Sequence, residues 1–399
     1  MNINTNVNFL NRTKINTHQT ILSYLQIKSL NSLFKTKSRK LHNICMKYKK
    51  YTQKLKLMLK SLKIASTINF TDEITYLKKI DNLNLAIGST TGKIQIFNLT
   101  TSNIEKFVNG HSEIIYSVEY LPISFHSPRS EEHCPILISG SRDKKIVIWN
   151  YNTNHIIKIL KGNNHSVVSL LAVNINYGNN ILISGSWDTT VRVWNLEKFE
   201  QTHIFKVNII YIHKLLLIEG LNQHKENSQS NIMNNSILCI SRRLEIYQLN
   251  FLTGLVETKF SLSDSNEYSG LLVFNWEKNT KSIVYGNYIG EITYKNIESK
   301  NVIFKLQGHD KPINCLEKGW NSDNILISGA WDYKINVWNL NCGELVSSIK
   351  CSLNVYGCII TEDKMSNTKI ITTDNSKLNF WSRDIQSLML NNTQMLLTS

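Results

Sequence analysis

The sequence predicts an all-β fold built from repeats, on three observations. The first is a recurring stretch: LISGSRDKKIVIWN at residues 137–150, ILISGSWDTTVRVWN at 181–195 and LISGAWDYKINVWN at 326–339. Each reads as two short strands around a Gly-x-x-Asp turn. The second strand alternates apolar and polar residues, is rich in β-branched types and ends on Trp149, Trp194 or Trp338. The second observation is spacing. Trp149 and Trp194 are 45 residues apart, and Trp194 and Trp338 are 144 apart, or three steps of about 48. Two further copies must therefore lie between them. The third is that worn copies do appear there and beyond. ILCISRRLEIYQL ends its second strand at Tyr247 and IVYGNYIGEITYKNI at Tyr294; outward, LAIGSTTGKIQIFNL ends at Phe97 and IITTDNSKLNFWS at Trp381. This gives seven units.

Within the clear copies, a histidine precedes the first strand and a serine, an aspartate and a tryptophan follow. Gly110-His111 and Gly308-His309 lead two units, and Asn164-His165 stands in that place in the third. Each Asp sits six residues before its Trp. These features resemble the WD-repeat β-propeller family, over roughly residues 66–384. The resemblance implies a seven-bladed propeller in residues 66–399, with a short C-terminal tail. It also implies hydrogen-bonded tetrads: His111, Ser139, Asp143 and Trp149; His165, Ser184, Asp188 and Trp194; His309, Ser328, Asp332 and Trp338. The physical logic is satisfiability, because a buried indole N–H needs an acceptor and an imidazole can relay to a carboxylate. A Ser/His/Asp set repeated three times fits a fold device better than one active site, so no catalytic residue and no cofactor is expected.

Partner contacts in the family concentrate on one face, from the residue before the turn Asp and one early in each unit's first strand. Carried over, these are Arg142, Trp187 and Trp331, then Tyr116, Ser169 and Asn314. Trp and Arg are the types most enriched at binding hot spots. The opposing reading is that Trp187 and Trp331 stack on neighbouring blades. The implied role is a non-catalytic scaffold or adaptor for one or more proteins, within a multiprotein complex.

Residues 1–65 are of another kind. Fourteen Lys and Arg precede the first acidic residue, Asp72, so nearly all of the net charge of +15 lies in this arm. Ile21, Leu22, Leu25, Leu30, Leu33 and Phe34 have helical spacing, as do Leu55, Met58, Leu59 and Leu62. Four readings stay open: a solvated tail, a transit peptide, a membrane-surface segment, or a nuclear-import or nucleic-acid arm. The last centres on Lys35, Lys37, Arg39, Lys40, Lys47, Lys49 and Lys50, and makes a nuclear ribonucleoprotein or nucleic-acid-associated complex the alternative function. The expected compartment is nucleus or cytoplasm, or an organelle if the arm is a transit peptide.

Other patterns carry less. Seven cysteines without a C-x-x-C indicate a reduced intracellular chain. No run of 18 apolar residues is present to span a membrane. Gly88–Lys93 departs from a phosphate loop, with three residues between its glycines and Ile94 after the lysine. His126, His133 and Cys134, in a loop over 122–135, match no standard zinc spacing. Arg242-Arg243 lacks the flanks of a phosphoinositide motif. The ring is expected to close with residues 62–68 or with residues 385–390.

Overall fold

The computed structural model describes residues 62–126, 133–174, 180–207, 211–217, 236–241, 245–261, 272–273, 282–296, 299–318, 325–340, 342–362 and 368–383. Residues 1–61 of the basic arm, Arg242-Arg243 and the 385–390 segment lie outside them.

Among the described residues every regular element is a β-strand, in seven four-stranded antiparallel sheets. Strand β1 (Leu62–Asn69) belongs to the last sheet. Blade 1 is β2 (Ile74–Lys79), β3 (Asn84–Ser89), β4 (Lys93–Asn98) and β5 (Asn103–Asn109). Blade 2 is β6 (Ile115–His126), β7 (His133–Ser141), β8 (Ile146–Asn150) and β9 (Ile156–Leu160). Blade 3 is β10 (Val167–Asn174), β11 (Asn180–Ser186), β12 (Thr190–Asn195) and β13 (Glu200–Lys206). Blade 4 is β14 (Ile212–Leu217), β15 (Ser236–Ser241), β16 (Glu245–Asn250) and β17 (Leu255–Ser261). Blade 5 is β18 (Leu272–Val273), β19 (Ser282–Gly286), β20 (Ile292–Asn296) and β21 (Val302–Leu306). Blade 6 is β22 (Ile313–Lys318), β23 (Ile325–Ala330), β24 (Lys334–Asn339) and β25 (Glu344–Lys350). Blade 7 is β26 (Gly357–Glu362), β27 (Thr368–Asp374) and β28 (Lys377–Arg383), completed by β1. The fold is a seven-bladed β-propeller.

The core lies between blades, not inside them. One cluster joins Ile146, Ile148 and Leu160 of blade 2 to Leu182 and Trp194 of blade 3. Others join blades 1 and 2, 3 and 4, 5 and 6, 6 and 7, and 7 and 1. Middle strands buried on both faces explain the Ile- and Val-rich runs. Polar ties cross the same gaps. The Ser117 hydroxyl accepts the Leu170 N–H of the next blade at 3.1 Å, and Ser169 accepts that of Leu215 at 3.0 Å. Lys78 pairs with Glu119 between blades 1 and 2.

Ring closure falls to the N-terminal segment. β1 pairs antiparallel with β28 from Leu62↔Arg383 to Asn69↔Lys377, and the Thr67 hydroxyl bonds Asn379 Oδ1 at 2.9 Å. β1 therefore begins inside the segment read from sequence as the arm.

Register corrects two closing residues. In each blade a bulge in the third-to-fourth strand pairing marks the closing position, at Phe97, Trp149, Trp194 and Trp338. In blades 4 and 5 it marks Leu249 and Lys295, not Tyr247 and Tyr294. The next residue is Asn in all six of these blades. The side chains of Asn98, Asn150, Asn195 and Asn250 each accept two N–H groups of the following turn. An Asx turn thus ends the strand.

Two tetrads form as expected. The Trp149 indole N–H donates to Ser139 Oγ at 3.0 Å, Ser139 lies 2.8 Å from His111 Nε2, and His111 Nδ1 lies 2.9 Å from Asp143. The corresponding distances from Trp338 through Ser328 and His309 to Asp332 are 2.8, 2.7 and 2.9 Å. One proton arrangement satisfies every group: indole to hydroxyl, hydroxyl to Nε2, Nδ1–H to carboxylate. The third differs. Trp194 reaches Ser184 at 2.9 Å, but His165 bonds Ser166 instead. His111 and His309 lie four residues before the paired Ile115 and Ile313. Four before the matching Val167 is Asn163, so His165 is two residues too late. Asp188 is held instead by the Asn164 N–H, Thr190 and Arg192.

These partners set the titration. Burial would raise the Asp143 carboxyl; the bond from His111 and the N–H groups of Lys145 and Ser112 outweigh it and hold it below the usual carboxylate range. Burial holds His309 below the usual imidazole value, against the pull of Asp332.

Three outcomes are expected. Trp194→Ala removes a buried, bonded indole and should cost about 3–5 kcal/mol in denaturant unfolding. A depressed histidine pKa means that the unfolded state binds more protons. Stability should therefore begin to fall as pH drops below about 6.5, through His309, and fall again below about 3.9, through Asp143; thermal melts from pH 8 to 3 read this, and His309→Asn should remove the first phase. A chain starting at Leu62 should melt like the full chain, whereas one starting at Phe70 leaves β28 unpaired and should melt lower.

Candidate interaction face

The candidate site is one end of the ring. In every blade the turn between second and third strands and the connection to the next blade lie at the same end, because the strands alternate in direction. Backbone bonds join the two: Thr90 N–H to Glu73, Arg142 to Ile114, Trp187 to Ser166 and Trp331 to Pro312 carbonyls, at 2.9–3.0 Å. The turn Asp fixes this junction. Asp143, Asp188 and Asp332 each accept the N–H two residues on, at 3.0–3.1 Å. Asp143 and Asp332 also accept Ser112 and Asp310 N–H from the connection, each at 3.2 Å.

The residue after the Asp position takes a left-handed backbone: Gly92, Lys144, Thr189, Gly290 and Tyr333 have φ of 81°, 70°, 67°, 88° and 62°. A Cβ on Gly92 would lie 2.5 Å from the His111 carbonyl oxygen. Gly88–Lys93 is thus the blade 1 turn, and Lys93 pairs with Asp72 at 3.2 Å.

On this face Trp331 is exposed at 41% and Arg142 is exposed, 3.3 Å from Glu113. Trp187 is half-buried. Its ring lies 5.4 Å from Tyr116 of blade 2, 5.7 Å from His165 and 5.7 Å from Tyr211 on the connection into blade 4. The stacking reading therefore describes Trp187, while among the described residues Trp331 makes no ring contact. Asn314 is half-buried and donates to the Val355 carbonyl at 3.1 Å. Ser169 is not on the face: it is buried in the interblade bond to Leu215. Register places Val168, not Ser169, at the position of Tyr116 and Asn314, and a slip of one reverses a strand side chain.

The structure adds residues that motif reading passed over. Tyr288 and Ile289 hold the blade 5 turn, with Ile289 exposed at 69%. Tyr333 follows the blade 6 Asp, and Tyr211, Leu353 and Tyr356 lie on connections between blades, all exposed. Their turn and connection positions were the available signal. Within the 122–135 segment, residues 122–126 extend β6 and 133–135 begin β7, with Phe125 paired to Cys134.

The family model described as WD domain, G-beta repeat matches residues 102–150, 154–195 and 300–339. Each match takes in the outer strand of one blade and three strands of the next, as with β5 followed by β6, β7 and β8. A curated relative is the ribosome biogenesis protein WDR12 homolog of Drosophila mojavensis, 25% identical over 95 residues. That match covers 23% of this chain and 22% of the relative. With three matched repeats, two complete Trp–Ser–His–Asp chains and seven four-stranded blades, the chain belongs to the WD-repeat β-propeller family.

Proposed function

We propose that the protein is a non-catalytic scaffold that binds partner proteins on the face carrying the second-to-third-strand turns. One observation carries this reading: Tyr211, Tyr288, Ile289, Trp331, Tyr333, Leu353 and Tyr356 are all exposed there. Single exposed apolar residues are ordinary, whereas a concentration at one end of a molecule marks an interaction surface. The Ser/His/Asp sets support the same reading, because His111 and His309 use both ring nitrogens inside the fold. Arg142 and Asn314 remain proposed contacts beside these aromatics.

A second reading has its own support. Residues 1–65 carry unbalanced basic charge, and the Drosophila relative is named for ribosome biogenesis. On that reading Lys35, Lys37, Arg39, Lys40, Lys47, Lys49 and Lys50 hold nucleic acid in a nuclear ribonucleoprotein complex while the propeller holds protein.

Affinity capture from cells separates the two. Trp331→Ala with Tyr333→Ala should leave the melt unchanged and weaken partner binding by about 2 kcal/mol, roughly thirtyfold; undiminished recovery refutes the face. Loss of partners on nuclease treatment, or on deletion of residues 1–60, moves the second reading ahead.

A further inference from the structure

At the turns of blades 2 and 3 the outward charge of this face is opposite to what the motif suggests, while Glu113 and Asp310 on the connections stay exposed and paired with Arg142 and Lys334. The signature aspartates turn inward: the Asp143 and Asp188 side chains are 4% and 7% exposed and spend their oxygens on the turn and the connection. The lysines around them turn outward. Lys144 is exposed beside Asp143, Lys161 starts the connection to blade 3, and Lys206 pairs in register with Thr190, three residues past Trp187. Among the described residues none of the three forms an ion pair. All three sit at the turns and connections of blades 2 and 3, the blades whose Tyr116–Trp187–Tyr211 ridge spans the gap from blade 2 to the start of blade 4.

We propose that this ridge and its lysines bind an acidic polypeptide segment with apolar anchor residues. The inference rests on the protein-binding reading and names the partner's chemistry. An aromatic centre inside a charged rim is the anatomy of a protein interface, and the unpaired lysines supply charge complementarity. Ring geometry favours a peptide over single-stranded nucleic acid. Base stacking needs an open ring face, but the Trp187 ring is packed by Tyr116 at 45°, His165 at 52° and Tyr211 at 62°. What it offers is a fixed ridge for aliphatic and aromatic side chains.

The test uses the full chain, so that any contribution of the basic arm is equal in all samples. Three probes are titrated: a fluorescent 15-residue peptide of Glu and Asp interspersed with Leu and Phe, the same peptide with Lys for its acids, and a 20-nucleotide oligo-dT. The wild type should bind the acidic peptide, and Lys144→Glu/Lys161→Glu/Lys206→Glu should weaken it about tenfold or more. Trp187→Ala should weaken it comparably, and the basic peptide should gain on the triple variant. Equal binding of the acidic peptide to wild type and triple variant overturns the proposal, as does a loss confined to oligo-dT. Partner capture distinguishes the failures. If Trp331→Ala/Tyr333→Ala abolishes it while the acidic peptide ignores the lysines, the face stands and the assigned partner chemistry falls. If capture survives as well, both readings fall.

Discussion

The rest of the molecule depends on how the turn between the second and third strands is tied to the connection that enters the blade. In blades 2 and 6 the tie is a proton chain from indole to hydroxyl to imidazole to carboxylate. It starts at a tryptophan inside the sheet stack and ends on backbone N–H groups at the surface. One set of side chains therefore fills the core, satisfies buried polar atoms and sets the height of the exposed loops. The left-handed residues at Lys144, Thr189 and Tyr333 show the local strain that this geometry sustains. Stability and the shape of this face are not separable here, because the same aspartates that hold the fold also decide which side chains face solvent.

Blade 3 shows how far the tie bends without breaking. Asn163 occupies the histidine position, and both of its side-chain polar atoms are buried with no partner among the described residues. Arg192 takes over the electrostatic part, 3.6 Å from Asp188 and 2.8 Å from Gln201. The indole bond to Ser184 is kept. With an ion pair in place of the imidazole relay, His165 lies two residues on, bonded to Ser166 and packed on Trp187. The departure from the motif and the aromatic ridge are therefore neighbours in space.

Legibility from sequence followed the same physics. Trp149, Trp194 and Trp338 were readable because a large aromatic and a turn Asp recur at fixed distance. Leu249 and Lys295 were not, because neither is aromatic and Tyr247 and Tyr294 stand just before them on the same strands. The surer signal was the asparagine that follows, since Asn250 and Asn296 cap the turn whatever precedes them. His165 was misplaced because its distance to Asp188 equals that between His309 and Asp332, although the hairpin between differs in length. Ser169 failed by one residue. Tyr211, Leu353 and Tyr356 lie on connections with no fixed offset, so only the closed ring brings them together.

The pairing of Leu62–Asn69 with Lys377–Arg383 has a consequence for biosynthesis. The segment that finishes the last blade is translated before any blade exists. At ~5–20 residues per second, it waits roughly 15–60 s for its partner to emerge. During that interval it is an unpaired strand, open to foreign edges. It is also the strand farthest in sequence from its contacts, so closure is the step with the largest loop entropy. A newly made ring is thus a string of nearly finished blades whose cooperativity arrives only at the end, when the first of the described strands meets the last.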